Sequence, residues 1–223
     1  VYAEAVVAGD GQVAKNFLIR SLPAANIPEK YDTRYDPKQA GELLDKAGWK
    51  MGPNGIRSKD GKLLTVKLWT RGTSQFKRMT IVIQAQLKAI GMKAVISTFD
   101  KSTIRDQYKK GLQQLALRSY GWNNADILDW FFSAKRLGYP NVSMWVDPKA
   151  EELRLTAMTK SRNMAERIAN FKIYHEYVMS QFVSAPIYEP AQTLVFRGDK
   201  LDFPAKIRGT ALRGQTVVDI SVK

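Results

Sequence analysis

The residues best suited to touch a ligand are concentrated between Leu115 and Phe132, where Arg118, Tyr120, Trp122, Asn123, Asn124, Asp126, Asp129 and Trp130 occur close together. Aromatic faces supply contact area there, while amides and carboxylates fix the orientation of a small molecule. The segment starts as a short strand over 115–118 and breaks at Gly121 before the polar groups. A plainer reading is a turn leading into a short buried helix, with Asp126 capping the amides that open at Ile127. Asp126 and Asp129, three residues apart, could also share a helical face as a hydrolytic acid–base pair or a cation site. No nucleophile or further oxygen ligand stands beside them.

Other chemistries lack the residues they need. The chain contains no cysteine, which removes disulfides, thiolate catalysis and thiolate-ligated metal. No phosphate-cradling glycine loop, nucleophile elbow or metal-ligand cluster is present, so neither cofactor nor metal is expected. The one histidine, His175, lies in an apolar helical run without an acidic residue three or four positions away, the pattern of a structural histidine. The net charge of +14 arises from 35 basic against 21 acidic residues spread along the whole chain. No basic tract or recognition helix stands out, and nucleic acid is not expected as a partner. No apolar run approaches the roughly 18 residues of a membrane helix. The chain opens at Val1 with no visible signal peptide, which suggests a processed product or a fragment.

The elements that would position the 115–132 segment follow from caps and periodicity. Residues 1–35 read as irregular, with Phe17, Leu18 and Ile19 as core anchors. Asp36, Pro37 and Gln39 form a capped helix start. Ala40, Leu43, Leu44 and Ala47 supply that helix's apolar face, and Gly48 ends it. Turns at Pro53–Gly55 and Asp60–Gly61 lead to a strand over 64–70. A helix from Ser74 carries Phe76, Met79, Ile83, Leu87 and Ile90 at helical spacing. A strand over 92–98, a helix over 101–110 and the strand at 115–118 follow. Strand–helix–strand–helix–strand predicts two crossover units in a mainly parallel sheet, whose ligands bind beyond the carboxyl ends of strands. Asp147 and Pro148 start another helix, with Leu153, Leu155 and Met158 as its expected apolar positions. Asn163 or Ser161 caps a long helix running to about Gln181. Short strands are expected at 185–188 and 194–196.

Four stretches together resemble a known family. They are Tyr35-Asp-Pro-Lys-Gln-Ala-Gly-Glu-Leu-Leu-Asp-Lys-Ala-Gly-Trp49 with Gly55-Ile-Arg57 and Asp60-Gly-Lys62; Ile83 through Met92; Gly121-Trp122 with Asp126; and Asp147 through Leu153, continued by Arg167 through Tyr174 and Pro186-Ile-Tyr188. In this order they resemble the carboxyl-terminal part of the extracytoplasmic solute-binding proteins of ABC transporters, the dipeptide/oligopeptide/nickel-binding family. The resemblance implies an α/β fold, a lobe of the type II periplasmic-binding-protein kind with a mainly parallel mixed sheet flanked by helices. Residues 1–35 would pack on that lobe, 36–190 would form its ligand-binding body, and 191–223 would return toward a first lobe outside this sequence.

The implied function is non-enzymatic. A small solute, a peptide or similar, is captured in an interlobe cleft and delivered to the permease subunits of an importer. The implied location is the periplasm or extracytoplasmic face, with or without a lipid anchor. By the same resemblance Asp126 would meet a solute's α-amino group, with Trp122, Asn123 and Asn124 beside it and Tyr120, Arg118 and Trp130 nearby. The aspartate sits one residue farther from the tryptophan than in the family's peptide binders, and Asp-Ile-Leu-Asp replaces the usual aspartate–proline pair. An oligosaccharide or an opine-like anionic solute therefore remains an alternative.

Overall fold

A computed structural model of the chain describes residues 11–190, 197–202 and 221–222. The first ten residues of the irregular entry segment, the strand expected at 194–196 and most of the return segment lie outside the described residues.

The chain enters through β1 (Gly11–Val13) and two short 3-10 turns at Pro23–Ala25 and Glu29–Tyr31. The first full helix among the described residues, α1 (Pro37–Lys46), starts where Asp36 accepts a hydrogen bond from the Gln39 amide at 2.8 Å. Three short strands, β2 (Lys50–Met51), β3 (Arg57–Lys59) and β4 (Lys62–Leu63), then form an antiparallel unit. Arg57 anchors that unit. Its buried guanidinium pairs with Asp45 at 2.8 Å and donates to the carbonyls of Trp49 and Ile90. Contrary to expectation, α1 has no buried residue among those described and Leu43 is 59% exposed. The helix is held from its ends and by Arg57 rather than by an apolar face.

The parallel sheet follows. Strand β5 (Thr65–Arg71) leads into α2 (Ser74–Ala89), then β6 (Lys93–Phe99), α3 (Lys101–Lys109) and β7 (Leu115–Ala116). Both helices are capped locally, by Thr73 and by Asp100. The strand order is β6-β5-β7, with β5 parallel to both neighbours. The register runs from Thr65↔Lys93 to Arg71↔Phe99 on one side and includes Trp69↔Ala116 on the other. Strand β7 is shorter than expected, although the Leu117 amide still donates to the Trp69 carbonyl. Apolar clusters form around the sheet, one of Phe76, Met79 and Leu117 and another of Trp69, Ile104 and Tyr108.

The largest core lies beyond the sheet. It joins Leu18, Ala24 and Ala25 to α4 (Ile127–Phe132), α5 (Pro148–Leu155) and α6 (Met164–Ser180). Leu128, Phe171, Tyr174 and Val178 are almost fully buried in it, and each such side chain contributes about 1.5–3 kcal/mol of transfer free energy. Here α5 departs from the sequence expectation. Ala150, Arg154 and Ala157 are buried, whereas Leu155 is 43% exposed. A π-helical turn at Thr156–Lys160 extends this run, and the core-facing position is held by a charged residue with its own partners. The α6 cap is Asn163, which accepts from the Glu166 amide. The strand expected at 185–188 instead forms as β8 (Tyr188–Pro190), antiparallel to β1 in the register Gly11↔Pro190 to Val13↔Tyr188. Short β9 (Leu201–Asp202) and β10 (Ser221–Val222) pair with each other. Among the described residues, no helix is long and apolar enough to cross a membrane.

Candidate functional site

The order β6-β5-β7 has a direct consequence for the site. The chain runs from β5 to one side and returns to the other, so the direction of winding reverses between β5 and β7. Crevices at such reversals, beyond the carboxyl ends of the strands, are where open α/β sheets bind ligands. Two residues past the Trp69↔Ala116 pair come Arg71 and Arg118. Arg71 Nη2 lies 3.3 Å from Ser119 Oγ, linking the two strand ends.

Arg118 is half-buried among four aromatic rings. Its guanidinium carbon lies 4.7 Å from the Tyr120 centroid, 5.1 Å from Tyr139, and 5.3 Å from Tyr108 and Phe131. Its Nη1 donates to the Pro140 carbonyl at 2.7 Å. Ring faces are electron-rich and stabilise a cation in this position. Burial pushes the Tyr108 phenol up to about 12, against the opposing pull of Arg118 and Arg71. The Tyr120 phenol is likewise raised by burial, with the same two arginines opposing. Both tyrosines are therefore neutral donors at ordinary pH. Tyr120 also packs on Phe131, with ring centroids 3.8 Å apart, and remains 37% exposed.

The next turn carries the remaining expected groups. Trp122 is half-buried against the main core, and its indole N–H donates to Asp126 Oδ1 at 2.7 Å. The Asp126 amide faces Asn124 Oδ1 at 3.3 Å, while Asn123 and Asn124 are exposed. The expected cap is not formed, because the Asp126 side chain makes no capping bond to α4 and turns to the indole instead. A carboxylate offers about four lone-pair positions, so this bond leaves it able to accept from a cationic or polar group. Trp130 lies 5.4 Å from Trp122, is 37% exposed, and carries the Arg136 guanidinium 4.1 Å over its ring.

Asp129 does not join Asp126. It is buried, with Arg154 Nη1 at 2.6 Å and Arg136 Nη2 at 3.2 Å. Arg154 is also paired with Glu151 at 2.8 Å, and Glu151 accepts from the Ala134 amide. This network ties α4 to α5, so the two aspartates form neither an acid–base pair nor a common cation site. His175 is fully buried with Nδ1 3.0 Å from the Ala24 carbonyl, a structural placement. Among the described residues, no group of three or more His, Asp or Glu side chains is arranged to hold a metal.

The segment thus presents an open wall. A separate concavity of about 510 Å³ is lined by residues 12–15, Arg20, Glu29 and residues 32–34. Its charges are largely engaged with protein groups, Lys15 with Asp32 at 3.5 Å and Arg20 with Glu189 at 3.1 Å, so the β5–β7 crevice is the stronger candidate. Tyr108, Phe131, Tyr139 and Arg71 were not singled out by sequence reasoning. The carboxyl-end rule, applied to β5 as well as β7, would have found Arg71. The rings converge only in the folded chain.

Comparison with known proteins adds an independent line. The model of a family described as "Bacterial extracellular solute-binding proteins, family 5 Middle" matches residues 1–138. The chain is 37% identical over 106 residues to the nickel-binding periplasmic protein of Escherichia coli K12, covering 46% of this chain and 20% of that protein. It is 27% identical over 179 residues to the oligopeptide-binding protein AppA of Bacillus subtilis 168, covering 77% of this chain and 32% of AppA. Among solved structures, it superposes on AppA in complex with a nonapeptide with a TM-score of 0.73 at 21% identity, covering 84% of this chain and 38% of that one. The Pseudoalteromonas sp. SM9913 dipeptide-binding protein in complex with Met-Leu gives a TM-score of 0.72 at 20% identity, covering 85% and 36%. The structural likenesses show the fold, that of type II periplasmic binding proteins. The chain spans about a third or less of the length of the curated relatives, 20% and 32%.

Proposed function

The chain belongs to the family 5 bacterial extracellular solute-binding proteins, which are transport components and not enzymes, and from that membership we propose that it forms one wall of an importer's solute-binding cleft. In this reading residues 36–190 are the body of the ligand-binding lobe, 1–35 pack on it, and 191–223 return toward the rest of the protein. The solute is a peptide or similar small molecule. Trp122, Asn123, Asn124 and Asp126 touch it, with Tyr120, Arg118 and Trp130 beside them. Loaded protein then delivers the solute to an ABC permease on the extracytoplasmic side of the membrane. Tighter binding by the closed state than by the open one drives closure, and no covalent step is required.

The observation that carries this reading is the placement of the polar and aromatic segment 118–130 beside the β5–β7 winding reversal, on a chain of this family. The test is solute binding by the full-length protein, measured calorimetrically with the solute it retains on purification. Trp122→Ala removes both the ring and the donor that holds Asp126, and a loss of about tenfold or more in affinity is expected. Unchanged affinity in both Trp122→Ala and Asp126→Asn would remove this segment from the cleft.

A further inference from the structure

Resting on the solute-binding reading, we propose that Arg136 is a positioning residue, which holds the Trp130 indole beside Trp122 and so sets the aromatic surface that the solute meets. Three observations converge on it. First, the guanidinium of Arg136 is stacked over the Trp130 ring, 4.1 Å from its centroid. The other neighbour of that ring is Trp122, with centroids 5.4 Å apart and planes tilted by 52°. The cation covers one face of the indole, and the part of Trp130 that stays exposed is what a solute can reach.

Second, the guanidinium is itself fixed from the core side. Its Nε and Nη2 both donate to Asp129 Oδ2, at 3.3 and 3.2 Å. The other oxygen of that buried carboxylate is taken by Arg154 at 2.6 Å. Two donors on one acceptor define the guanidinium plane, and a planar group is the one that can stack on a ring. Lysine, with a point charge on a flexible stem, fixes no such plane.

Third, the backbone that carries Arg136 is clasped on both sides. Its amide donates to the Ser133 carbonyl at 3.1 Å, and its carbonyl accepts from the Asn141 amide at 3.0 Å. The Asn141 side chain is fully buried and donates to the carbonyls of Ser133 and Trp145, each at 3.1 Å. A surface ion pair alone accounts for the bond to Asp129, but not for a rigid mount that ends in a stack on a cleft tryptophan. A ring held before the solute arrives need not be ordered when it binds, which preserves affinity. Arg136 thus acts on the solute through Trp130 and not by direct contact.

The experiment uses the full-length protein with the solute it retains on purification. Paired indoles couple excitonically, so the Trp122–Trp130 signal is the part of the circular dichroism lost in Trp130→Phe. Arg136→Gln should lose at least half of that signal, Arg136→Lys should keep an intermediate share, and Lys135→Gln, an exposed change next to it, should keep all of it. Calorimetry should show affinity lowered about two- to fivefold by Arg136→Gln, the scale of an exposed cation–ring contact. On a Trp130→Ala background the same change should cost no further affinity, because the group through which Arg136 acts is gone.

A signal that Trp130→Phe does not reduce, or one that survives Arg136→Gln intact, overturns the proposal. So does an affinity unchanged by Arg136→Gln, or one lowered equally with and without Trp130. If Trp122→Ala weakens binding and Arg136→Gln does not, the cleft wall stands and the positioning role falls. If neither Trp122→Ala nor Trp130→Ala changes affinity, the wall reading falls and the positioning role with it.

Discussion

Asp129→Asn tests whether the second aspartate of the segment is structural. The substitution keeps the size of the side chain and removes its charge. Arg154 then stays in a site where its side chain is 7% exposed, having lost a contact of 2.6 Å. Breaking a buried ion pair from one side costs about 3–5 kcal/mol, because the remaining charge stays desolvated. Arg154 keeps Glu151 at 2.8 Å, which places the expected cost at the lower end, about 3 kcal/mol. The bond from Arg136 adds little, since that side chain is 35% exposed and screened by water. The loss is local to α4 and α5, which the network joins. Hydrogen exchange of the full-length protein should therefore show roughly a hundredfold faster exchange of amides in Ile127–Phe132 and Pro148–Leu155, since about 1.4 kcal/mol corresponds to tenfold. Asp126→Asn alters a single bond, to the Trp122 indole, and should change those amides by only a few-fold. If Asp129→Asn left exchange in both helices unchanged while weakening solute retention, the structural assignment would be wrong.

Two further outcomes follow from particular sites. Burial lowers the His175 imidazole from 6.5 to about 4 in the folded chain. The unfolded chain therefore takes up a proton between those values that the native chain refuses, and stability falls as pH drops through this window while remaining unaffected above it. The loss is on the order of 3 kcal/mol by pH 4. Urea midpoints should fall between pH 7 and pH 4, and His175→Met should flatten that part of the profile. Equal sensitivity in the two proteins would contradict the assignment. Gly91 has φ of +84°, and a Cβ there would lie 2.6 Å from Arg57 Cγ. Gly91→Ala should cost roughly 1–3 kcal/mol by combining backbone strain with displacement of Arg57, read as a lower urea midpoint, and an unchanged midpoint would show that the Arg57 anchor yields readily.

Local signals in the sequence carried most of the fold. Asp36, Asp147 and Asn163 cap the helices they were expected to start, because a cap is a contact between a side chain and an amide two or three residues away. The two crossover units followed from periodicity, and with them the parallel sheet. Periodicity was less informative where burial depends on distant partners. It identified an apolar face on α1 without indicating whether anything covers it. It favoured Leu155 over Arg154, since hydropathy does not register that Asp129 neutralises a buried guanidinium 25 residues away. The site divides in the same way. Trp122 and Asp126 were legible as a local turn, although their mutual hydrogen bond replaced the expected cap. The cage around Arg118 was not, because Tyr108, Tyr120, Phe131 and Tyr139 are assembled from α3, the loop, α4 and the turn before Pro140.

The central claim is that the open wall formed by residues 118–130 faces the solute. A structure of the full-length protein with its retained solute bound tests it most directly. Trp122 and Asp126 should lie within direct contact distance of the solute, roughly 4 Å between heavy atoms, at the carboxyl end of β5 and β7. A solute held elsewhere, with this segment beyond contact distance and open to water, would contradict the account.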